Sequence, residues 1–411
     1  MSSGRRDYWR AVALVFSGTA IAQMIPLLGS LVIARLFLPA EFGIFMAWLG
    51  ISALAGVFVT GRFEMALALE EDGAPRVEAA SATFVTMILL LAAVTVAGAL
   101  AWPFVAERFP EIPLPLMWLY VPAVAALASA QIWQAWAAAE GRFKALSMMR
   151  ITQAAAITGF QIAAGLVAPT AVNLALAHVA GVVAGVAMIA WQLPLRRLPE
   201  GRKTLFRFWS RYRRFPIYSL PADTVNTAAG QLPLTILAAR FGADVAGFVA
   251  LAFRTLGAPI SLMGTAVLDV FKRRASESWR ANGSCRGPFM ETFAVLAAGS
   301  VAATLVFWFT GEELFVIAFG PEWREAGQAA VILLPLFAMR FVASPLSYTF
   351  YIAEKQHIDL IWQICLLAMT LTTLMNFGEY EQTLLAYALG YGFLYVVYVS
   401  LSYRFSAGKS A

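Results

Sequence analysis

The chain has 411 residues, of which 60% are hydrophobic and only 13% charged, and it carries a net charge of +6 with a mean hydropathy of +0.72. Soluble domains carry about 25% charged residues, so this composition excludes a water-soluble protein and predicts an all-α integral membrane protein. The two cysteines, Cys285 and Cys365, are too few for a disulfide framework or a metal site. The polar segments between the apolar runs are too short to hold a soluble catalytic domain.

A membrane-spanning helix needs roughly 20 mostly apolar residues. We therefore predict about twelve spans. The internal similarity described below groups them into two six-helix, pseudo-symmetric lobes around a central cavity. In chain order the predicted spans are 11–34, 43–60, 80–105, 116–139, 148–168, 171–194, 216–239, 246–271, 290–310, 327–350, 358–376 and 384–403.

Residues 1–194 are predicted to form the N-terminal lobe, and four of its polar residues are candidates for function. Gln23 lies in the middle of the first span and would line the cavity. Arg62 and Glu64 close the second span, either as part of a gate or as an interfacial ion pair of small value. Arg150 lies just inside the fifth span, where it either lines the cavity or extends to the membrane surface.

Residues 195–215 are predicted to be a basic linker between the lobes. Eight of the 30 Lys and Arg residues lie in it, and most of the others lie in segments on the same side of the predicted membrane. The positive-inside rule places that side, with both chain termini, in the cytoplasm. The net charge therefore favours contact with anionic membrane lipids over binding to nucleic acid.

Residues 216–411 are predicted to form the C-terminal lobe. Its first span carries Asp223, Asn226 and Gln231 among several prolines, which favour kinks. We interpret this span as a bendable, polar gate helix, with Asn226 and Gln231 facing the cavity. Asp223 would then pair with an arginine or bind a coupling ion, although it could equally cap the first turn of the helix.

Three more charged residues of this lobe are candidates. Arg340 lies near the middle of the tenth span, where a charge costs on the order of 2.5–3.5 kcal/mol on insertion scales. It either lines the cavity and contacts a diphosphate or acidic sugar, or pairs with a buried acid or with helix-end carbonyls. Arg254 either lines the same cavity or reaches the interface, and Asp269 closes the eighth span as a gate residue or an interfacial pair.

Two similar stretches, "ARLFLPAEFGIF" beginning at Ala34 and "ARFGADVAGFV" beginning at Ala239, lie about half a chain length apart. Glu140 follows the fourth span and Glu354 follows the tenth, and these two residues are also about half a chain length apart. These echoes predict two parallel repeats of six spans, a design typical of transporters. The alternative is that an arginine, a turn and a glycine merely mark tight helical hairpins.

The chain resembles polysaccharide-biosynthesis flippases for lipid-linked oligosaccharides, in the superfamily that also holds multidrug-and-toxin exporters. The resemblance rests on "ARLFLPAEFGIF", on "GRFEMALALEEDG", on the passage from Arg211 to Arg254, and on "AVLDVFKRRASE". It implies a twelve-helix bundle with a V-shaped cavity. It also implies movement of an undecaprenyl-diphosphate-linked glycan from the cytoplasmic to the periplasmic leaflet, for the synthesis of O-antigen, capsule or exopolysaccharide.

Two alternatives belong to other classes. An ion-coupled exporter of drugs or other small molecules needs a buried acid in the N-terminal lobe, and spans one and three to six contain none. A membrane enzyme usually needs long external loops or a His and acid set, which the sequence lacks. We therefore expect a non-enzymatic, monomeric flippase without a cofactor or metal, with membrane lipids and a polysaccharide polymerase as candidate partners.

Overall fold

The computed structural model describes residues 2–108, 113–195 and 202–408. Within these ranges all regular elements are helices, and no strand occurs among them. The chain divides into two compact units, Met1–Ala246 and Gly247–Ala411.

The described residues of the first unit form eight α-helices. They are α1 (Ser2–Leu36), α2 (Pro39–Thr60), α3 (Ala74–Arg108), α4 (Leu114–Ala139), α5 (Phe143–Val167), α6 (Ala171–Gln192), α7 (Arg202–Tyr212) and α8 (Leu220–Phe241). A 3₁₀ helix, Phe63–Ala68, follows α2, and a π-helical turn, Phe215–Ser219, precedes α8.

The second unit contains the rest of the helices, with α9 beginning just before the boundary. They are α9 (Ala243–Asn282), α10 (Arg286–Phe319), α11 (Arg324–Ile332), α12 (Leu334–Leu346), α13 (Tyr348–Ile352), α14 (Gln356–Asn376) and α15 (Tyr380–Ser406).

These helices confirm the predicted architecture of about twelve membrane passes. Eight described helices are long and apolar enough to cross a membrane, and a ninth pass is formed by the bent pair Pro321–Ile332 and Leu334–Ile352. The remaining three predicted spans correspond to α1, α5 and α8, which fall short of that criterion of length and hydropathy. In α1 the described apolar stretch is Ala20–Leu36.

The ends of the helices follow from local chemistry. Pro39 lies in the first turn of α2, where no helical donor is needed, and Gly61 adopts a φ of 57° that ends it. The side-chain oxygen of Thr170 accepts a hydrogen bond from the Asn173 N–H (3.3 Å) and caps α6. Gly242, at φ 96°, makes the turn between α8 and α9.

Helices α5 and α6 pack closely where glycines of α6 face α5. A methyl group built on Gly181 of α6 would lie 2.5 Å from the backbone nitrogen of Ile157 on α5, and one on Gly185 would lie 2.6 Å from the Cβ of Gln153. Close backbone approach of this kind is a common way for helices to associate in membranes. Lipid tails are as apolar as the helix surfaces, so van der Waals packing, rather than the hydrophobic effect, holds the helices together. The α5 and α6 helices therefore form a tightly packed pair.

Two features differ from the sequence-based expectation. The basic linker contains α7, which was not predicted. The tenth span is broken at Leu333, where Pro335 enters the first turn of α12 and the helices bend by 56°. In the structure α8 packs against α2 and belongs to the first compact unit. The predicted lobe boundaries, with a linker at 195–215, and the division into two repeated halves stay predictions.

Candidate functional site

A charged cluster lies where α2 ends. The chain turns through two consecutive left-handed residues, Gly61 at φ 57° and Arg62 at φ 58°. For a residue other than glycine this conformation costs about 1–2 kcal/mol. The turn places the Arg62 guanidinium beside two carboxylates, so side-chain interactions offset the backbone cost.

Arg62 makes an ion pair with each of these carboxylates. Its Nη1 lies 2.9 Å from Oε1 of Glu64, and its Nε lies 2.7 Å from Oδ2 of Asp223 at the start of α8. The second contact is close but lacks the alignment of a hydrogen bond, since the Nε–H has no hydrogen-bond partner among the described atoms. The pair with Asp223 therefore connects the end of α2 to α8 by charge.

Glu64 is the most enclosed member of the cluster, with 5% of its side chain exposed, compared with 20% for Arg62 and 34% for Asp223. Its Oε2 has no hydrogen-bond partner among the described residues. Burial raises the pKa of Glu64, and the positive charge of Arg62 opposes that rise. The cluster thus holds a carboxyl group that takes up a proton more readily than an exposed glutamate.

The turn that carries Arg62 and Glu64 is held by Arg76, which the sequence reasoning did not single out. Its Nε donates to the Leu67 carbonyl (3.0 Å) and its Nη2 to the Glu70 carbonyl (2.8 Å). Its Nη1 also pairs with Glu140, 3.4 Å away. The only sequence signal was an arginine following the acids and turn residues of "EEDGAP", because backbone carbonyl partners leave no pattern in a sequence.

Gln231 of α8 faces α2, where Gly50 leaves room for it. A methyl group built on Gly50 would lie 3.1 Å from the Gln231 side-chain oxygen. Gly50 therefore allows α8 to approach α2 along the same interface that the Arg62–Asp223 pair closes at one end.

The second unit holds a separate candidate site, a pocket of about 250 Å³ between α9 and α12. Arg340 lines it, and this side chain is exposed. Among the described residues Arg340 forms no ion pair. The other lining residues are apolar or small: Phe253, Gly257, Ile260, Ser261, Gly264, Leu268, Phe337 and Ser344.

Two of the residues that line this pocket, Phe253 and Phe337, are aromatic and contact further aromatic side chains. The Phe253 ring packs edge-on against Phe337 (5.6 Å between centroids) and stacks on Tyr387 of α15 (6.5 Å). From Tyr387 a series of tyrosines continues through Tyr391 and Tyr395 at spacings of 5.4 and 5.3 Å. The Arg340 charge acts on all three. The pocket therefore combines one cation with extended apolar walls.

The other predicted site residues are not gathered into these two sites. Arg254 follows Phe253 in α9 and Arg150 lies in α5; both are partly buried and already engaged in interactions. Gln23, on the exposed surface of α1, is engaged as well. The side chains of Asn226 and Asp269 lie outside the described residues, and the backbone at Asp269 is inside α9 rather than at its end.

A family model described as "Polysaccharide biosynthesis protein" matches residues 32–328, which is most of the chain and includes the Arg62 cluster. The chain belongs to this family. No curated protein sequence matches it.

Solved structures share the fold of this polysaccharide biosynthesis protein. A structure of the lipid II flippase MurJ in an inward closed conformation matches with a TM-score of 0.78 and 12% identity, over 95% of this chain and 87% of that one. An inward-facing multidrug resistance MATE transporter of the MOP superfamily matches at 0.63 and 11% identity, over 94% of both chains. A MOP superfamily transporter from Pyrococcus furiosus matches at 0.57 and 14%, over 98% and 95%. The chain therefore has the fold of flippases and transporters.

Proposed function

We propose that the protein is a flippase that moves an undecaprenyl-diphosphate-linked oligosaccharide from the cytoplasmic to the periplasmic leaflet by alternating access. Its product would serve the synthesis of a surface polysaccharide. The family match supports the role in polysaccharide synthesis, and the fold supports a transporter rather than an enzyme. The protein acts as a monomer in the bacterial inner membrane with both termini in the cytoplasm, and a polysaccharide polymerase is its candidate partner.

The observation that carries this proposal is the pocket around Arg340. A cation within a span is costly and usually faces a cavity or a partner, yet Arg340 has no counter-ion among the described residues. A guanidinium presents its donors in a planar fork that matches the oxygens of a phosphate. A diphosphate would supply the missing negative charge, and the aromatic and aliphatic walls would contact sugar rings or the lipid chain.

The Arg62 cluster suits the role of a gate within the first unit. Alternating access needs a contact that holds one state and can be released. The Arg62–Asp223 pair joins α8 to the end of α2 through charge at a partly exposed position, where ion pairs are individually weak. Pro233 removes a backbone donor inside α8 and so favours bending of this helix.

The test is transport by the pure protein in vesicles. A fluorescent polyprenyl-diphosphate oligosaccharide is incorporated into proteoliposomes, and its appearance in the opposite leaflet is measured by access to a membrane-impermeant quencher. We expect the oligosaccharide to flip faster than in protein-free vesicles under at least one of three conditions: a proton gradient, a sodium gradient or no gradient. If the oligosaccharide never moves but cationic drugs are exported down an ion gradient, the protein is a small-molecule exporter and the proposal is wrong.

A further inference from the structure

The helix α7 in the basic linker is docked onto the first unit by its aromatic face. Phe208 and Tyr212 are buried in the core of that unit. Trp209 donates its Nε1–H to the Thr86 hydroxyl of α3 (2.8 Å), and the Tyr212 hydroxyl donates to Oε1 of Glu70 (2.6 Å). These contacts fix the register of α7 along α3.

A pocket of about 340 Å³ lies between α7 and the first turns of α3. That volume falls at the lower end of the range for small-ligand sites. Two cations of α7 and two carboxylates line it, so its four charged residues cancel in net charge. Those residues are Arg207, Arg211, Glu70 and Glu78.

Only half of these charges neutralise each other within the described structure. Nη1 of Arg211 lies 3.5 Å from Oε1 of Glu70. Arg207 and Glu78 are both exposed, line the same pocket and yet form no ion pair with each other or with any other described residue. An unpaired cation and an unpaired anion that share one pocket match a ligand carrying both charges.

We infer that this pocket binds the zwitterionic headgroup of an aminophospholipid, a phosphoethanolamine group. Arg207 and Arg211 are four residues apart and share a helix face, so both can donate to one phosphate. Glu78 and Glu70 supply carboxylate acceptors for the three N–H donors of the ammonium. A purely anionic headgroup would leave the exposed Glu78 carboxylate without a partner in the pocket.

The surface of α3 identifies the ligand as a lipid rather than a soluble zwitterion. Large apolar residues on α3 beyond the pocket are more than half exposed, as expected for a helix that contacts acyl chains: Ile88, Leu89, Val96 and Leu100. The pocket lies at the end of α3 that the positive-inside rule places in the cytoplasm. A lipid of the inner leaflet would therefore present its headgroup to the pocket and its chains to α3.

Headgroup selectivity of the unmodified protein tests the inference without a risk of misfolding. The delipidated full-length protein in micelles is titrated with phosphatidylethanolamine, with its mono-, di- and trimethylated forms and with phosphatidylglycerol, all with the same acyl chains. Bound lipid is counted by native mass spectrometry. We expect one phosphatidylethanolamine to bind about tenfold more tightly than the trimethylated form or phosphatidylglycerol, with affinity falling at each methylation because an N–H donor is lost.

Matched variants assign the two charges. Glu78→Gln is expected to abolish the preference for phosphatidylethanolamine over the trimethylated lipid, whereas Glu71→Gln, an exposed neighbour outside the pocket, preserves it. Arg207→Gln is expected to weaken both lipids about tenfold, whereas Lys203→Gln, on the same helix but outside the pocket, leaves both unchanged.

Three results would overturn the inference. Equal binding of all methylated forms would show that the pocket does not recognise the N–H donors of the ammonium. Tighter binding of phosphatidylglycerol would indicate ordinary attraction of an anionic lipid to basic residues. Displacement of the lipid by free phosphoethanolamine at the same concentration would indicate a soluble ligand.

Discussion

Arg62 in the first unit and Arg340 in the second unit present the same guanidinium in opposite electrostatic settings. Arg62 is mostly enclosed and lies within 3 Å of two carboxylates of its own chain. Arg340 is exposed in a pocket and has no ion-pair partner among the described residues. The charge of Arg62 is already neutralised by the protein, which suits a residue that holds a conformation. The charge of Arg340 remains available to a ligand.

The largest expected effect on stability follows from removing the paired cation. Arg62→Ala leaves Glu64 buried without its counter-charge, and breaking a buried pair costs about 3 kcal/mol or more. Denaturant titration in mixed micelles measures the free energy of unfolding. We expect Arg340→Ala to change this free energy by less than about 0.5 kcal/mol, since Arg340 forms no ion pair with the residues that the structure describes.

A second substitution shows whether this loss comes from the stranded carboxylate. Glu64→Gln added to Arg62→Ala is expected to recover much of the stability, because the buried negative charge is gone. If the loss of stability in the double variant equals the sum of the losses in the two single variants, the two residues are not coupled. Glu64 would then not be the group that neutralises Arg62.

The next largest effect concerns ligand affinity and the unpaired cation. A hydrogen bond to a charged group contributes about 1.5–3 kcal/mol, so Arg340→Ala is expected to weaken the binding of a polyprenyl-diphosphate glycan roughly 10- to 100-fold. Arg340→Lys is expected to lose less, because the charge remains without the planar fork. Isothermal titration calorimetry measures the affinities, and Arg324→Ala serves as the control because Arg324 pairs with surface acids. Equal loss in both alanine variants would argue against a specific site.

A pH dependence isolates Glu64. Because burial raises its pKa in the folded protein above the ordinary value of 4.5, the unfolded chain loses this proton first as the pH rises. The stability that protonated Glu64 contributes is therefore complete below pH 4.5 and is lost as the pH rises through the raised pKa. We expect the free energy of unfolding of the unmodified protein to fall relative to that of Glu64→Gln over this range. A relative increase would show that attraction to Arg62 outweighs burial.

The smallest effect is expected at the more exposed partner of Arg62. Asp223→Asn should lower the free energy of unfolding by less than about 1 kcal/mol, because a partly exposed ion pair is weak. In the same vesicles it should nevertheless change the flipping rate, since it weakens the contact between α2 and α8. Glu322→Gln, at an exposed acid without a described ion pair, is the control for both measurements. Identical flipping rates in the two variants would remove Asp223 from the gate.

The sequence allowed the helices to be predicted better than the contacts between them. Hydropathy located the spans because a segment can cross a membrane only if most of its own residues are apolar. The sequence also singled out Arg62, Glu64 and Asp223, although not that Arg62 lies within 3 Å of both carboxylates. That geometry depends on the left-handed backbone of Arg62, which no pattern in the sequence indicates.

Other features depend on tertiary contacts and were missed. Arg76 is buried because its guanidinium meets carbonyls of the turn that follows α2. The linker was predicted from its charge alone, and α7 forms there because Phe208, Trp209 and Tyr212 find partners on the first unit. A charge pattern does not reveal which apolar side chains will be covered.

The most direct test of the central claim is the flipping rate of a labelled polyprenyl-diphosphate oligosaccharide by the unmodified protein and by Arg340→Ala in matched proteoliposomes. The account predicts that the unmodified protein flips the oligosaccharide and that Arg340→Ala, although folded and equally stable, does so at least about tenfold more slowly. Equal rates for the two proteins would contradict the account.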